Sequence, residues 1–203
     1  MIGIVDYNMG NLASVKNAFD LLGEKVVVES DPAKLHTYDK LILPGVGAFG
    51  DAMEHLRMRG MDEAVREYAQ SGKYLLGICL GMQLLFDSSE EFGLNEGLGL
   101  IPGRVVAFDS SRFHTPLKVP HMGWNRMFIK SHPLFEGLDE GDYLYFVHSY
   151  HVLCKNEANS IGECVYGYRF TSAVANDNVM GIQPHPEKSH KNGLKILENF
   201  INL

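Results

Sequence analysis

The segment that most constrains this chain is Lys73-Tyr-Leu-Leu-Gly77-Ile-Cys79-Leu-Gly81-Met-Gln83-Leu-Leu-Phe86. A short apolar run, read as a buried strand over Tyr74–Ile78, leads straight into a cysteine. A helix is expected directly afterwards, with Met82–Phe86 as its opening. Gly77 and Gly81 stand two residues to either side of Cys79. A strand-to-helix turn this tight presses backbone against backbone, and bulky side chains there would clash. The spacing is that of a nucleophile elbow with cysteine in place of serine. Such a turn presents its side chain at the carboxyl end of a parallel strand, where open α/β sheets bind ligands.

Most free cysteines are small buried apolar side chains. Cys154 and Cys164 lack flanking glycines and are read in that way. Cys79 differs because a helix N-terminus favours the thiolate, and the Leu80 N–H next to it faces an oxyanion formed by attack at the sulfur. A thiol of ordinary pKa, about 8.5, also needs a basic or imidazolium partner. Among nine histidines the best placed is His185, in Met180-Gly-Ile-Gln-Pro184-His185-Pro186-Glu187-Lys188-Ser189. A short strand ends there in a histidine held between two prolines. Residues two apart on extended backbone share a side, so Glu187 can hold and orient the imidazole.

A second strand runs through a glycine-rich turn into a helix at Lys40-Leu-Ile-Leu-Pro44-Gly45-Val46-Gly47-Ala48-Phe49. Its two glycines leave the N–H groups near Val46 and Gly47 open to a substrate oxygen. It lacks the Gly-Lys-Ser/Thr ending of a phosphate-binding loop, and Ile2–Asn11 lacks the glycine fingerprint of a dinucleotide site. His148, His151 and Cys154 lie on one short stretch with no second matching cluster, so no metal site is expected, and Tyr143–Tyr150 reads as a buried aromatic strand.

The remaining pattern agrees with a parallel sheet covered on both faces. Strands are expected at Ile2–Val5, Lys25–Glu29 and Lys40–Leu43, and helices at Leu12–Leu22, Ala48–Leu56 and Met61–Gln70. The second half is β-rich, with strands at Val105–Phe108, Trp124–Ile129, Tyr143–Val147, Gly162–Tyr168 and Ala173–Asn176, turns at Asp109–Arg112 and Asn176–Asn178, and a closing helix at Gly193–Ile201. No linker divides the chain, so one α/β domain over residues 1–203 is expected. A net charge of −7 argues against nucleic acid as partner. No apolar run reaches membrane-spanning length, no signal peptide is recognised at the N-terminus, and three cysteines form no disulfide framework. A reducing cytoplasm is the expected location.

With these residues identified, the chain resembles the class I glutamine amidotransferases, and within them the glutaminase subunits of histidine biosynthesis. The matching pieces span nearly the whole sequence: Asp6-Tyr-Asn-Met-Gly-Asn-Leu, Leu43-Pro-Gly-Val-Gly, Gly77-Ile-Cys-Leu-Gly-Met-Gln, Val119-Pro-His-Met-Gly-Trp-Asn, Tyr145-Phe-Val-His-Ser-Tyr and His185-Pro-Glu-Lys-Ser. The resemblance implies a three-layer α/β fold with a mainly parallel central sheet. It implies a Cys79–His185–Glu187 triad acting on the glutamine side-chain amide, with no cofactor. It further implies an oxyanion hole from the Val46 and Leu80 N–H groups, and glutamine binding by Gly47, Gln83 and Glu91. Asn11, Trp124, Tyr145 and Lys188 match positions near the face that docks on a (β/α)8-barrel cyclase, which receives the ammonia. The catalytic motifs leave open a paralogue feeding a different synthase, such as one modifying a surface sugar, or a catalytically dead regulatory subunit. One departure concerns the base: the family commonly has Phe before the catalytic histidine, and here Pro184 stands there. Proline removes a backbone donor and drives Gln183 towards extended geometry. The triad is expected to survive it.

Overall fold

A computed structural model describes residues 1–203. In the first half, strands β1 (Ile2–Val5), β2 (Val26–Glu29), β3 (Lys40–Leu43) and β4 (Tyr74–Ile78) alternate with helices α1 (Leu12–Leu21), α2 (Phe49–Met58), α3 (Met61–Gln70) and the short α4 (Leu80–Leu84). The second half is almost all strand: β5 (Phe86–Ser89), β6 (Asn95–Glu96), β7 (Ile101–Ala107), β8 (His121–Ile129), β9 (Asp142–His148), β10 (Tyr150–Cys154), β11 (Ser160–Tyr166), β12 (Tyr168–Asn176) and β13 (Val179–Ile182). Helix α5 (His190–Asn202) closes the chain.

All these strands form one 13-stranded sheet. Its parallel part runs β2-β1-β3-β4-β13, and β12, β10 and β7 extend it mainly by antiparallel pairing. Strands β11, β8 and β9 branch off β12 as an antiparallel flap. Strands β1 and β13 are buried at every position, as continuous apolar runs must be when helices cover both faces of a sheet. Two cores result. Helices α2, α3 and α4 pack one of 26 buried residues, and α1 and α5 pack one of 25 on the opposite face. The chain is therefore a three-layer α/β sandwich, with β4 and β13 side by side at its centre, carrying Cys79 and the His185 loop at neighbouring carboxyl ends. No helix is long and apolar enough to cross a membrane.

Several element boundaries move from the sequence reading. The helix after Cys79 starts at Leu80 and ends at Leu84, and Phe86 belongs to strand β5 rather than to a helix. The cause is tertiary: the Leu84 and Leu85 carbonyls, which a longer helix would use, each accept a backbone N–H from Leu98 or Leu100, both at 2.8 Å. The expected strand Gly162–Tyr168 reverses at Gly167 (φ 72°), so Tyr168 starts β12, and Ala173–Asn176 is the end of that strand. The aromatic run over Tyr143–Tyr150 is broken at Ser149 into β9 and β10.

Candidate active site

The turn between β4 and α4 places Cys79 at φ 55° and ψ −113°. A non-glycine residue in that region is strained by about 1–3 kcal/mol and persists only where its surroundings force it. The surroundings do so through the two flanking glycines. A Cβ on Gly81 would lie 1.8 Å from the Leu43 carbonyl oxygen, and one on Gly77 would lie 2.6 Å from the Gly81 oxygen. The chain can pass only without side chains there, and the thiol is thereby aimed out of the sheet.

Cys79 and His185 line one cavity of about 310 Å³, together with Val46, Gly47, Leu80 and Gln83. Glu91, Pro120 and residues Val147, His148, Ser149 and Tyr150 complete its wall. The structure thus gathers every residue for which the resemblance implied a substrate or oxyanion role. Cys79 Sγ lies 3.8 Å from the Val147 carbonyl oxygen, and Gln183 Nε2 approaches the sulfur at 3.7 Å. The backbone N–H groups of Val46 and Leu80 donate to no acceptor within the chain.

His185 Nδ1 meets Glu187 Oε1 at 2.7 Å, with both side chains almost fully buried. The carboxylate fixes the tautomer with hydrogen on Nδ1. Nε2 has no hydrogen-bond partner. Burial by itself would pull the imidazole pKa down; the nearby Cys79 sulfur and the Glu187 carboxylate override it and hold the group up, at about 10. Pro184 is buried and leaves this geometry in place. The neighbouring His185 N–H reaches the Tyr145 carbonyl at 2.8 Å.

Gln83 Nε2 donates to the Tyr150 carbonyl (3.1 Å) and to Gln183 Oε1 (3.0 Å), so both its amide hydrogens are committed. Glu91 Oε2 accepts the Phe49 N–H at 2.7 Å. Burial raises its carboxyl pKa, partly offset by that hydrogen bond. This carboxylate joins the cavity wall to the helix that follows the Val46 loop. The sequence gives no sign of the Gln183 contact with the sulfur, because that contact depends on β13 pairing with β4.

Of the four residues matched to a docking face, Trp124 and Tyr145 lie on the paired strands β8 and β9, and Asn11 and Lys188 lie by α1. Trp124 is 45% exposed and its ring meets Tyr145 edge-on, with centroids 6.0 Å apart. Lys188 is exposed beside α1, and Asn11 caps that helix by accepting the Ser14 N–H at 3.3 Å. Met122, Val119 and Tyr143 add exposed apolar surface on the same strands or their approaches.

His148 and His151 are committed to polar contacts within the fold. His148 Nδ1–H donates to the Tyr150 carbonyl at 2.7 Å, and its Nε2 meets His121 Nδ1 at 2.9 Å. His151 pairs with the Tyr168 hydroxyl at 2.8 Å. No group of three His, Cys, Asp or Glu side chains converges as a metal set. Burial lowers the pKa of His121 to about 4 and of His148 to about 3. In the unfolded chain they titrate near 6.5. The stability that these neutral imidazoles contribute is complete above about pH 6.5 and is lost as pH falls towards 4. His185, raised in the fold, works the other way above about pH 6.5 and adds little change below it, so urea denaturation between about pH 6.5 and 5 shows a midpoint that already declines above the carboxylate range. A midpoint flat down to pH 5 would contradict this account.

Comparison with known proteins agrees with the site. Residues 4–203 match the family model described as glutamine amidotransferase class-I. The chain belongs to the class I glutamine amidotransferases. Within that class it is similar to the imidazole glycerol phosphate synthase subunit HisH of Sulfurimonas denitrificans, with 76% identity over 98% of this chain and 97% of the relative. The subunit of the same name from Wolinella succinogenes is 59% identical, covering all of both chains. Among solved structures, the fold is shared with a chain of PurLQS from Thermotoga maritima, with TM-score 0.77, 20% identity, and coverage of 99% of this chain and 97% of that one.

Proposed function

We propose that the chain, as a single domain over residues 1–203, is the glutaminase subunit of imidazole glycerol phosphate synthase in histidine biosynthesis. It hydrolyses glutamine to glutamate and ammonia and passes the ammonia to a (β/α)8-barrel cyclase. The similarity to the HisH subunits, at up to 76% identity end to end, supports the choice of pathway and complex. The observation that carries the chemistry is the glycine-locked Cys79 sharing one cavity with a carboxylate-held His185 whose Nε2 is unpaired.

In this reading His185 Nε2 takes the Cys79 thiol proton as Sγ attacks the side-chain amide carbon of glutamine. The Val46 and Leu80 N–H groups receive the charge on the carbonyl oxygen. The C–N bond breaks as His185 Nε2 hands its proton to the departing nitrogen, leaving a γ-glutamyl thioester and ammonia. His185 then takes a proton from water, which attacks the thioester carbon, and glutamate leaves with the thiol restored. Glu187 keeps the imidazole in the productive tautomer throughout. Glu91 receives the α-amino group of glutamine, while Gly47 and Gln83 Oε1 hold the rest of the substrate. The exposed face around Trp124, Tyr145, Lys188 and Asn11 docks on the barrel. A thiol nucleophile with no disulfide partner suits a reducing cytoplasm.

The test mixes the protein with the histidine-pathway cyclase and measures glutamate release with and without the cyclase's nucleotide substrate. The expected result is low release from the subunit alone and stimulation of at least about 100-fold in the loaded complex, the scale on which positioning of catalytic groups acts. A flat response with that cyclase would sink the assignment and point to a subunit serving another synthase.

A further inference from the structure

A serine placed directly before a helix ordinarily turns its hydroxyl to accept an N–H of the first turn. Ser189 stands at that position before α5 and makes no such cap. Its hydroxyl is used elsewhere. Ser189 Oγ accepts the Tyr145 N–H at 2.9 Å and donates to the His185 carbonyl at 2.6 Å. The His185 N–H returns to the Tyr145 carbonyl at 2.8 Å. These three bonds close a ring between the loop that carries the base and strand β9. Ser189 is 1% exposed, so water has no ready access to replace its hydroxyl.

The next residue faces the other way. His190 adopts φ 48°, a left-handed conformation unusual for a side chain of this size. Its ring stacks on Trp124 with centroids 5.0 Å apart and planes 4° from parallel. Trp124 in turn meets Tyr145, whose backbone Ser189 holds. Two adjacent residues thus touch the catalytic base on one side and the exposed aromatic pair on the other.

We propose that Ser189 is a positioning residue of the glutaminase reaction, its hydroxyl locking the His185 backbone to Tyr145 and so tying the base to the Trp124–Tyr145 face. The inference rests on the glutaminase reading above. Removing the hydroxyl strands the Tyr145 N–H, while the His185 carbonyl keeps the Lys188 N–H at 3.0 Å. The loop should therefore persist with its base less firmly held. Loosening of that kind acts on the reacting geometry more than on glutamine binding, because none of the atoms involved lines the cavity except His185 itself.

The experiment uses the complete complex with its cyclase and nucleotide substrate. Ser189→Ala is expected to lower kcat for glutamate release roughly 10- to 100-fold, with KM for glutamine within about threefold of wild type. Ser189→Cys, of similar shape but with a weak donor and acceptor, is expected to fall between the two. A Ser189→Ala protein that melts earlier yet keeps the wild-type kcat well below its melting temperature overturns the proposal, since the hydroxyl would then be structural only. Ser189→Cys no better than Ser189→Ala overturns it as well. Should Ser189→Ala not fold, Ser189→Cys decides alone: a loss confined to kcat supports the role, and wild-type kcat overturns it. Wild-type complex run alongside separates the two questions. No stimulated release from wild type sinks the glutaminase reading, whereas full release from both wild type and variant sinks only the role of Ser189.

Discussion

Cys79→Ala abolishes glutamine-dependent synthesis by the complex, a fall of at least about 10⁴-fold, while synthesis from added ammonia continues at the wild-type rate. The asymmetry follows from where the residue sits. Cys79 supplies the only sulfur on the cavity wall, so no neighbouring thiol takes its place. The two other cysteines are pushed the wrong way for chemistry: burial raises the pKa of Cys154 to about 11 and of Cys164 to about 12. Ammonia supplied from outside needs neither the thiol nor the base. Glutamate release and cyclase product are measured in parallel with each nitrogen source. Loss of both activities would contradict the assigned division of labour, and survival of glutamine-dependent synthesis would remove Cys79 from the nucleophile's place.

Gly81→Ala has the largest expected effect on stability. Its new methyl would stand 1.8 Å from the Leu43 carbonyl oxygen, backbone against which no rotamer gives relief. Leu43 ends β3, a central strand of the parallel sheet, so relief requires moving α4 off that strand or opening the elbow. The expected cost is at least about 3 kcal/mol, with loss of Cys79 reactivity towards a glutamine-like alkylating agent in whatever fraction folds. Gly72→Ala provides the comparison. No atom lies within 4 Å of its Cβ, and only a left-handed φ of 83° opposes the change, a penalty of about 1–2 kcal/mol. Urea denaturation of both variants checks the order. Equal, small losses would mean that the elbow has more room than its geometry shows.

These two substitutions also mark how much of the site could be read from the chain. Gly77, Cys79 and Gly81 form a local pattern, because a strand-to-helix turn is made by consecutive residues and its steric demand appears as glycine at fixed offsets. His185 and Glu187 are legible as a close pair with prolines as punctuation, but the extended backbone expected between them is a 3-10 turn over Pro186–Lys188, and that turn brings the carboxylate to the imidazole. Buried parallel strands such as β1 and β4 likewise announce themselves as short apolar runs. The end of α4 was not legible. Met82–Phe86 continues a helical pattern, and only the capture of the Leu84 and Leu85 carbonyls by the distant Leu98 and Leu100 N–H groups stops it. Ser189 misleads in the same way: its place before α5 announces a cap, and its hydroxyl is taken by Tyr145 and His185 instead.

The amino-acid sequence by itself marked the candidate nucleophile, the pair proposed to serve it and the class of sheet that carries them. All three rest on short-range sterics and periodicity. Only the tertiary structure decided that Cys79 and His185 share a cavity. It also brought Gln183 to the sulfur and Glu91 to the helix after the Val46 loop, and tied the base to the exposed Trp124–Tyr145 face. The physical reason is the pairing of β13 beside β4 and of β9 against the loop that follows. Hydrogen bonds between segments a hundred residues apart leave no local pattern in the chain, since either partner alone could satisfy its backbone with water or with a different strand.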